Sequence, residues 1–236
     1  MRHLLRWSVS CVSFAALIGL VVTGTMYQAP ATAQTMSESA QPSTDPTDAF
    51  SRGVQAVKDK NFQLAINLFE TAASRSEYEA QYNLAYLLRH GKGRPQNYTE
   101  ALYWVKLAQL GGIELAEDLA DEIEDRLSEK QLKPVLDRVA SALERRIEAG
   151  EFEAIPQLAA YHHSLLPEPD FEQAYLWYAI AVALSLPEVI DLRDDMEDEL
   201  EPEQIGALQE ESTAIFNRLL AGEPIRQPQS EAADEN

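Results

Sequence analysis

Cysteine is almost absent from this 236-residue chain, and the single one, Cys11, lies in an apolar run near the N-terminus. Once that segment is removed, no thiol remains. That excludes disulfides, a cysteine nucleophile and thiolate metal sites. Strand signals are missing too. There is no alternating stretch of useful length and no Asn-Gly or Asp-Gly hairpin turn. No serine stands in Gly-x-Ser-x-Gly and no His-Glu-x-x-His is present, which removes two familiar hydrolase signatures. Cations are scarce, with 19 Lys+Arg against 39 Asp+Glu. Without residues 1–33 the count is 17 against the same 39, a net charge of −22. Such a surface repels nucleic acid and suits basic partners, or simply solvates helix faces.

Enough apolar residues are present (45%) for one folded core. The one long apolar run covers residues 9–22, behind Arg2 and Arg6, and Ala31-Thr32-Ala33 follows as a small-residue cleavage site. Fourteen residues are short for a span of about 20. Residues 1–33 are therefore expected to be a signal peptide, with a retained inner-membrane anchor as the alternative. The expected location is exported and periplasmic. Residues 34–46, QTMSESAQPSTDP, read as a disordered linker and 223–236 as a disordered tail.

Between them, residues 47–222 have helical apolar spacing and an internal repeat. NFQLAINLFETA (61–72), NYTEALYWVKLA (97–108) and DFEQAYLWYAIA (170–181) share a pattern: Asn or Asp, an aromatic, Ala at +4, Leu or Trp at +7, and Ala at +11. Spacings of 4, 3 and 4 put Ala65, Leu68 and Ala72 on one helix face, and likewise Ala101, Trp104, Ala108 and Ala174, Trp177, Ala181. Asn61, Asn97 and Asp170 are N-cap residues, and Glu100 and Gln173 stand where a capping box needs them. A partner helix is expected before each: 47–59, 79–88 and 152–164. Leu84 in the second corresponds to Leu158 in the third. Residues 113–150 and 188–222 each read as two helices, meeting near Ser128 and near Glu201, with Leu127 and Gln131 recurring as Leu200 and Gln204. The pattern predicts an all-α chain of about ten helices.

RHGKGRPQNYTEALYWVKLAQ (89–109) contains a Gly-Lys-Gly that looks like a phosphate loop. It lacks the preceding strand, the four-residue glycine spacing and the Ser or Thr after lysine. Gly91 and Gly93 are instead expected to form a bend between two helices, with anion binding by Lys92 and Arg94 as the lesser alternative. The adjacent His162 and His163 point about 100° apart on a helix and suit packing better than one metal ion. His90, beside the bend, is expected to be exposed. The acidic stretches 117–125 and 191–203 lack calcium-loop spacing and read as solvated faces or as docking surfaces for a basic partner. Asn97-Tyr98-Thr99 matches a glycosylation acceptor, but the capping role explains it better.

YNLAYLLRHGKGRPQNYTEALYWVKLAQLGG (82–112) resembles a Sel1-like repeat, a relative of the tetratricopeptide repeat. Gly91, Gly93, Asn97, Ala101, Trp104 and Ala108 carry the pattern, and Gly111-Gly112 its ending. Residues 154–183 are a weaker copy with a corner, SLLPEPD, that has no glycine, and 49–73 looks like a plain tetratricopeptide hairpin. The resemblance implies an α-solenoid of antiparallel helix pairs that binds another protein or peptide; with no catalytic or metal-ligand set found in the sequence, no enzymatic activity, cofactor or metal is expected. Tyr82, Tyr86, Tyr103 and Tyr175 are candidate anchors for that partner if exposed, and core if not. Two other readings stay open: an envelope enzyme or small-ligand binder acting on peptidoglycan-like material, and a structural subunit of an envelope complex.

Overall fold

The computed structural model describes residues 48–225, so the expected leader, linker and most of the tail lie outside the described residues. Ten α-helices occur among them, with no strand. They form three hairpins and two further helix pairs, one between the second and third hairpins and one after the third. The hairpins are α1 (Ala49–Lys58) with α2 (Phe62–Ala73), α3 (Tyr78–Arg89) with α4 (Tyr98–Leu110), and α7 (Ala154–Ala160) with α8 (Phe171–Ala183). The pairs are α5 (Leu115–Glu124) with α6 (Glu129–Glu148), and α9 (Ile190–Glu197) with α10 (Pro202–Ala221).

Packing proceeds from each helix to the next through α5, after which α6 returns to α4 and carries the stack on to α7. In the same way α8 packs against both α9 and α10. One four-helix unit thus occurs twice, and an inserted helix pair accounts for the doubled spacing between the second and third repeats. The solenoid expected from the sequence is the observed architecture.

The repeat positions build its core. Ala65, Ala72, Ala101, Ala108, Ala174 and Ala181 have no accessible surface, so neighbouring backbones approach closely around them. Leu84 and Leu158 fill the space between hairpins. The +7 position is less uniform: Trp177 is buried, whereas Leu68 and Trp104 are half-buried.

Helix starts follow the predicted chemistry. The side chains of Asn61, Asn97 and Asp170 accept from the amides of Leu64, Glu100 and Gln173 at 3.3, 3.1 and 3.0 Å. Boxes close at Ser128 with Gln131 and at Glu201 with Gln204, where Pro202 opens α10. The box expected at Glu100 does not form. Its carboxylate accepts from Trp104 Nε1 at 2.9 Å and from Arg138 of α6 at 2.6 Å. At α8 the Asp170 amide is taken by the His162 carbonyl at 2.9 Å, which leaves no N–H for Gln173 to cap.

Two further expectations need correction. The third partner helix is not continuous from 152 to 164: α7 ends at Ala160 and widens into a π-helical turn, Tyr161–Leu165. No glycine is available to reverse the chain there, and Pro167 forces Leu166 into extended backbone (φ −74°, ψ 147°). The tail is not loose from 223 either. Gly222 caps α10 in the left-handed conformation, and Ile225 is buried with its N–H donating to Glu148 Oε1 of α6 at 3.2 Å.

Candidate protein-binding trough

The glycine corner is a bend. Gly91 and Gly93 have φ of 64° and 84°, and the amides of Gly91 and Lys92 donate back to Leu88 and Leu87 at 3.3 and 3.0 Å. These amides close helix α3 instead of facing outward as a cradle would. The cations are engaged as well. Lys92 Nζ lies over the rings of Tyr86 (5.2 Å) and Phe62 (5.7 Å). Arg94 clamps the Glu70 carboxylate through both terminal nitrogens and reaches Asn67 Oδ1 at 2.9 Å. That hydrogen bond raises the Arg94 pKa further. His90 is exposed as expected, stacked on Tyr86 with its Nδ1 2.8 Å from the Tyr86 carbonyl.

The proposed tyrosine anchors divide. Tyr86 is exposed and Tyr82 half-buried. Tyr103 and Tyr175 are buried, so they belong to the core and are not surface anchors. The i+3 and i+4 spacings that fill a helix face with aromatics give no sign of which face the next helix will cover, and α6 and α10 cover these two. Arg138 stacks on Tyr103, with its guanidinium carbon 3.6 Å from the ring centre, while holding Glu100. Burial raises the Tyr103 hydroxyl pKa above its ordinary value, with Arg138 and Arg145 pulling the other way.

This Trp104–Glu100–Arg138–Tyr103 arrangement fixes how α6 rotates on α4. Asp137, Glu144 and Glu148 follow one another at helical intervals along α6. Asp137 and Glu144 line a groove of about 810 Å³ between α6, the π turn, α8 and α10. Its apolar surface comes from Tyr161, Leu166, Trp177, Ile215 and Ile225, and Asp170, Glu211 and Arg218 also line it. A second groove of about 740 Å³ lies between α5, α6 and the residues after the π turn. Leu132, Leu136, Leu165 and Pro167 supply its apolar surface, under Glu117, Asp121 and Glu129. The two grooves share Lys133, Asp137, Tyr161 and Leu166, so they adjoin, and together they are called the trough.

The π turn places Tyr161 where the grooves adjoin. Burial, followed by the nearby Asp137 and Glu144 carboxylates, pushes its hydroxyl up to about 12, so the phenol stays protonated at ordinary pH. His162 lines the first groove with Nδ1 3.9 Å from Asp170 Oδ2, whereas His163 packs toward Phe171. The two histidines thus face different neighbours. Among the described residues no three His, Cys, Asp or Glu side chains converge as a metal site, and no helix is long and apolar enough to cross a membrane.

Of the trough residues, the repeat singled out Asp170, Gln173 and Trp177, and for packing or capping alone. The available signals were the acids spaced along α6 and the proline-rich corner after His163. Both are ordinary until five separate segments are brought together.

A chain built from helical hairpins stacked in one direction, with an open trough and structural glycine corners, is an α-solenoid. In particular, three stretches match the Sel1 repeat family, at residues 49–76, 79–108 and 157–186. These coincide with the α1/α2, α3/α4 and α7/α8 hairpins. No curated protein matches the chain. Among solved structures, the chain is similar to a protective antigen present in uropathogenic Escherichia coli strains that displays an SLR fold, at 19% identity and a TM-score of 0.34. That match covers 82% of this chain but only 35% of the other, so the chain spans about a third of that protein's length. Repeats of the Sel1 type generally serve as non-catalytic protein-interaction scaffolds.

Proposed function

We propose that this protein is a non-catalytic interaction module of the bacterial cell envelope, exported by residues 1–33 and holding a segment of another protein in the trough. The observation that carries the reading is the trough itself, an open groove lined by both apolar and charged side chains, formed by a Sel1-like array. Protein interfaces likewise combine apolar and polar surface. The charged and apolar run at the N-terminus supports export.

Site-specific photo-crosslinking in the native envelope tests the reading. A crosslinker at Leu166, inside the trough, should give a discrete adduct that one at the exposed Leu64 of α2 does not. Identical adducts from both positions, or catalytic turnover by the purified chain, would overturn the proposal. Recovery of a mature form starting at Gln34 from the periplasm is the expected location result, and a cytoplasmic form retaining Met1 would refute export.

A further inference from the structure

We infer that the trough takes a cationic segment of a partner protein, with apolar side chains interspersed between its lysines or arginines. The inference rests on the trough being the partner site and adds the chemistry of what enters it. Eight carboxylates line the adjoining grooves against three cations, Lys106, Lys133 and Arg218. Lys106 is buried and already spent on Glu124 at 2.8 Å. Lys133 reaches Asp137 at 3.2 Å, but both side chains are exposed and such a pair exchanges readily. Glu117, Asp121, Glu129 and Glu211 have no basic partner among the described residues.

The carboxylates share the lining of both grooves with apolar side chains. Along α6, Asp137 and Glu144 stand about two helical turns apart, and Tyr161 and Leu166 line the same groove. A wholly polar cation would leave those apolar side chains wet, and an acidic segment would meet like charge along its length. Glu148 shows how the stripe engages main chain, since it already accepts the Ile225 amide. Charge complementarity of this kind steers association and rejects acidic competitors.

Binding of fluorescein-labelled ten-residue peptides to the full chain, followed by anisotropy, tests the inference. An alternating Lys-Leu peptide should bind, and raising the salt should weaken it. A Glu-Leu peptide should not bind, and a Lys-Ser peptide should bind at least about tenfold more weakly. Asp137→Lys with Glu144→Lys should weaken the Lys-Leu peptide by about tenfold or more. Asp195→Lys with Glu199→Lys, on and just after α9, makes the same change of net charge away from the trough and should leave binding nearly unchanged. Equal weakening by the two pairs would reduce the effect to net charge and overturn the inference, as would equal binding of Lys-Ser and Lys-Leu. Displacement of the probe by a synthetic peptide of residues 226–236 would assign the trough to the chain's own tail. Probe binding lost in step with dimer formation would assign it to a second copy. Either result sinks the inference. Crosslinking from Leu166 to a partner segment without basic residues would overturn this inference while leaving the proposed function standing.

Discussion

Replacing Gly93 with alanine separates two costs that usually arrive together. Gly93 has φ of 84°, a conformation that L-residues adopt at a cost of roughly 1–2 kcal/mol. A Cβ there would also stand 2.5 Å from the Phe62 carbonyl oxygen and 2.9 Å from the Gln63 nitrogen. Both are backbone atoms in the first turn of α2, so no side chain can rotate away to relieve the clash. Forcing atoms into such a packed site costs about 1–3 kcal/mol more. Gly112 and Gly150 provide the reference, with φ of 84° and 88° and nothing within 4 Å of an added Cβ. Alanine at those positions should cost only the conformational part. In urea unfolding followed by circular dichroism, Gly93→Ala should therefore lose roughly 2–5 kcal/mol and Gly112→Ala roughly 1–2. Lys92→Ala, which would abolish an anion site, should lose no more than about 1 kcal/mol, the worth of a cation resting on exposed rings. Equal losses for Gly93→Ala and Gly112→Ala would refute the reasoning, because the close approach of the corner to α2 would then have no energetic weight.

Other outcomes follow from the same packing. Trp177→Ala should cost about 3–5 kcal/mol and Trp104→Ala clearly less, since only the first ring is buried; calorimetry that ranked them in reverse would contradict the burial pattern. Asn61→Ala, Asn97→Ala and Asp170→Ala should each lose about 1 kcal/mol in thermal unfolding. Burial holds Tyr178 at about 12, and burial with Asp137 and Glu144 does so for Tyr161. Because the unfolded phenol ionises near 10, the folded state binds the proton more tightly. Stability from these groups is intact below pH 10 and lost as pH rises from 10 through about 12. Urea midpoints should fall over that window, and Tyr161→Phe with Tyr178→Phe should flatten the decline.

The caps, the alanine faces and the glycine bend were legible because each depends on residues within one or two helical turns. An Asn at the start of a helix meets the same free amides wherever the helix lies, and a glycine with positive φ announces a turn. Glu100 shows where local reasoning ended. Its position fits a capping box, yet the Asn97 N–H already donates to the Leu88 carbonyl at 3.2 Å, and the carboxylate is held instead by the Arg138 guanidinium of α6 and the Trp104 indole N–H. Tyr103 and Tyr175 were ambiguous for a similar reason: the sequence places an aromatic on a face but does not say whether α6 or α10 will cover it.

By itself, then, the sequence determined the class of the protein: an acidic, all-helical repeat array with a structural glycine corner, written in short-range spacings. Only the tertiary structure decided where a partner could sit. The trough draws Glu117 and Asp121 from α5, Asp137 and Glu144 from α6, Tyr161 from the π turn, Trp177 from α8 and Ile215 from α10. Residues so far apart in the chain share no periodicity. They meet because α6 packs its buried apolar face against both α4 and α7, and because the chain turns after α7 through a corner without a glycine.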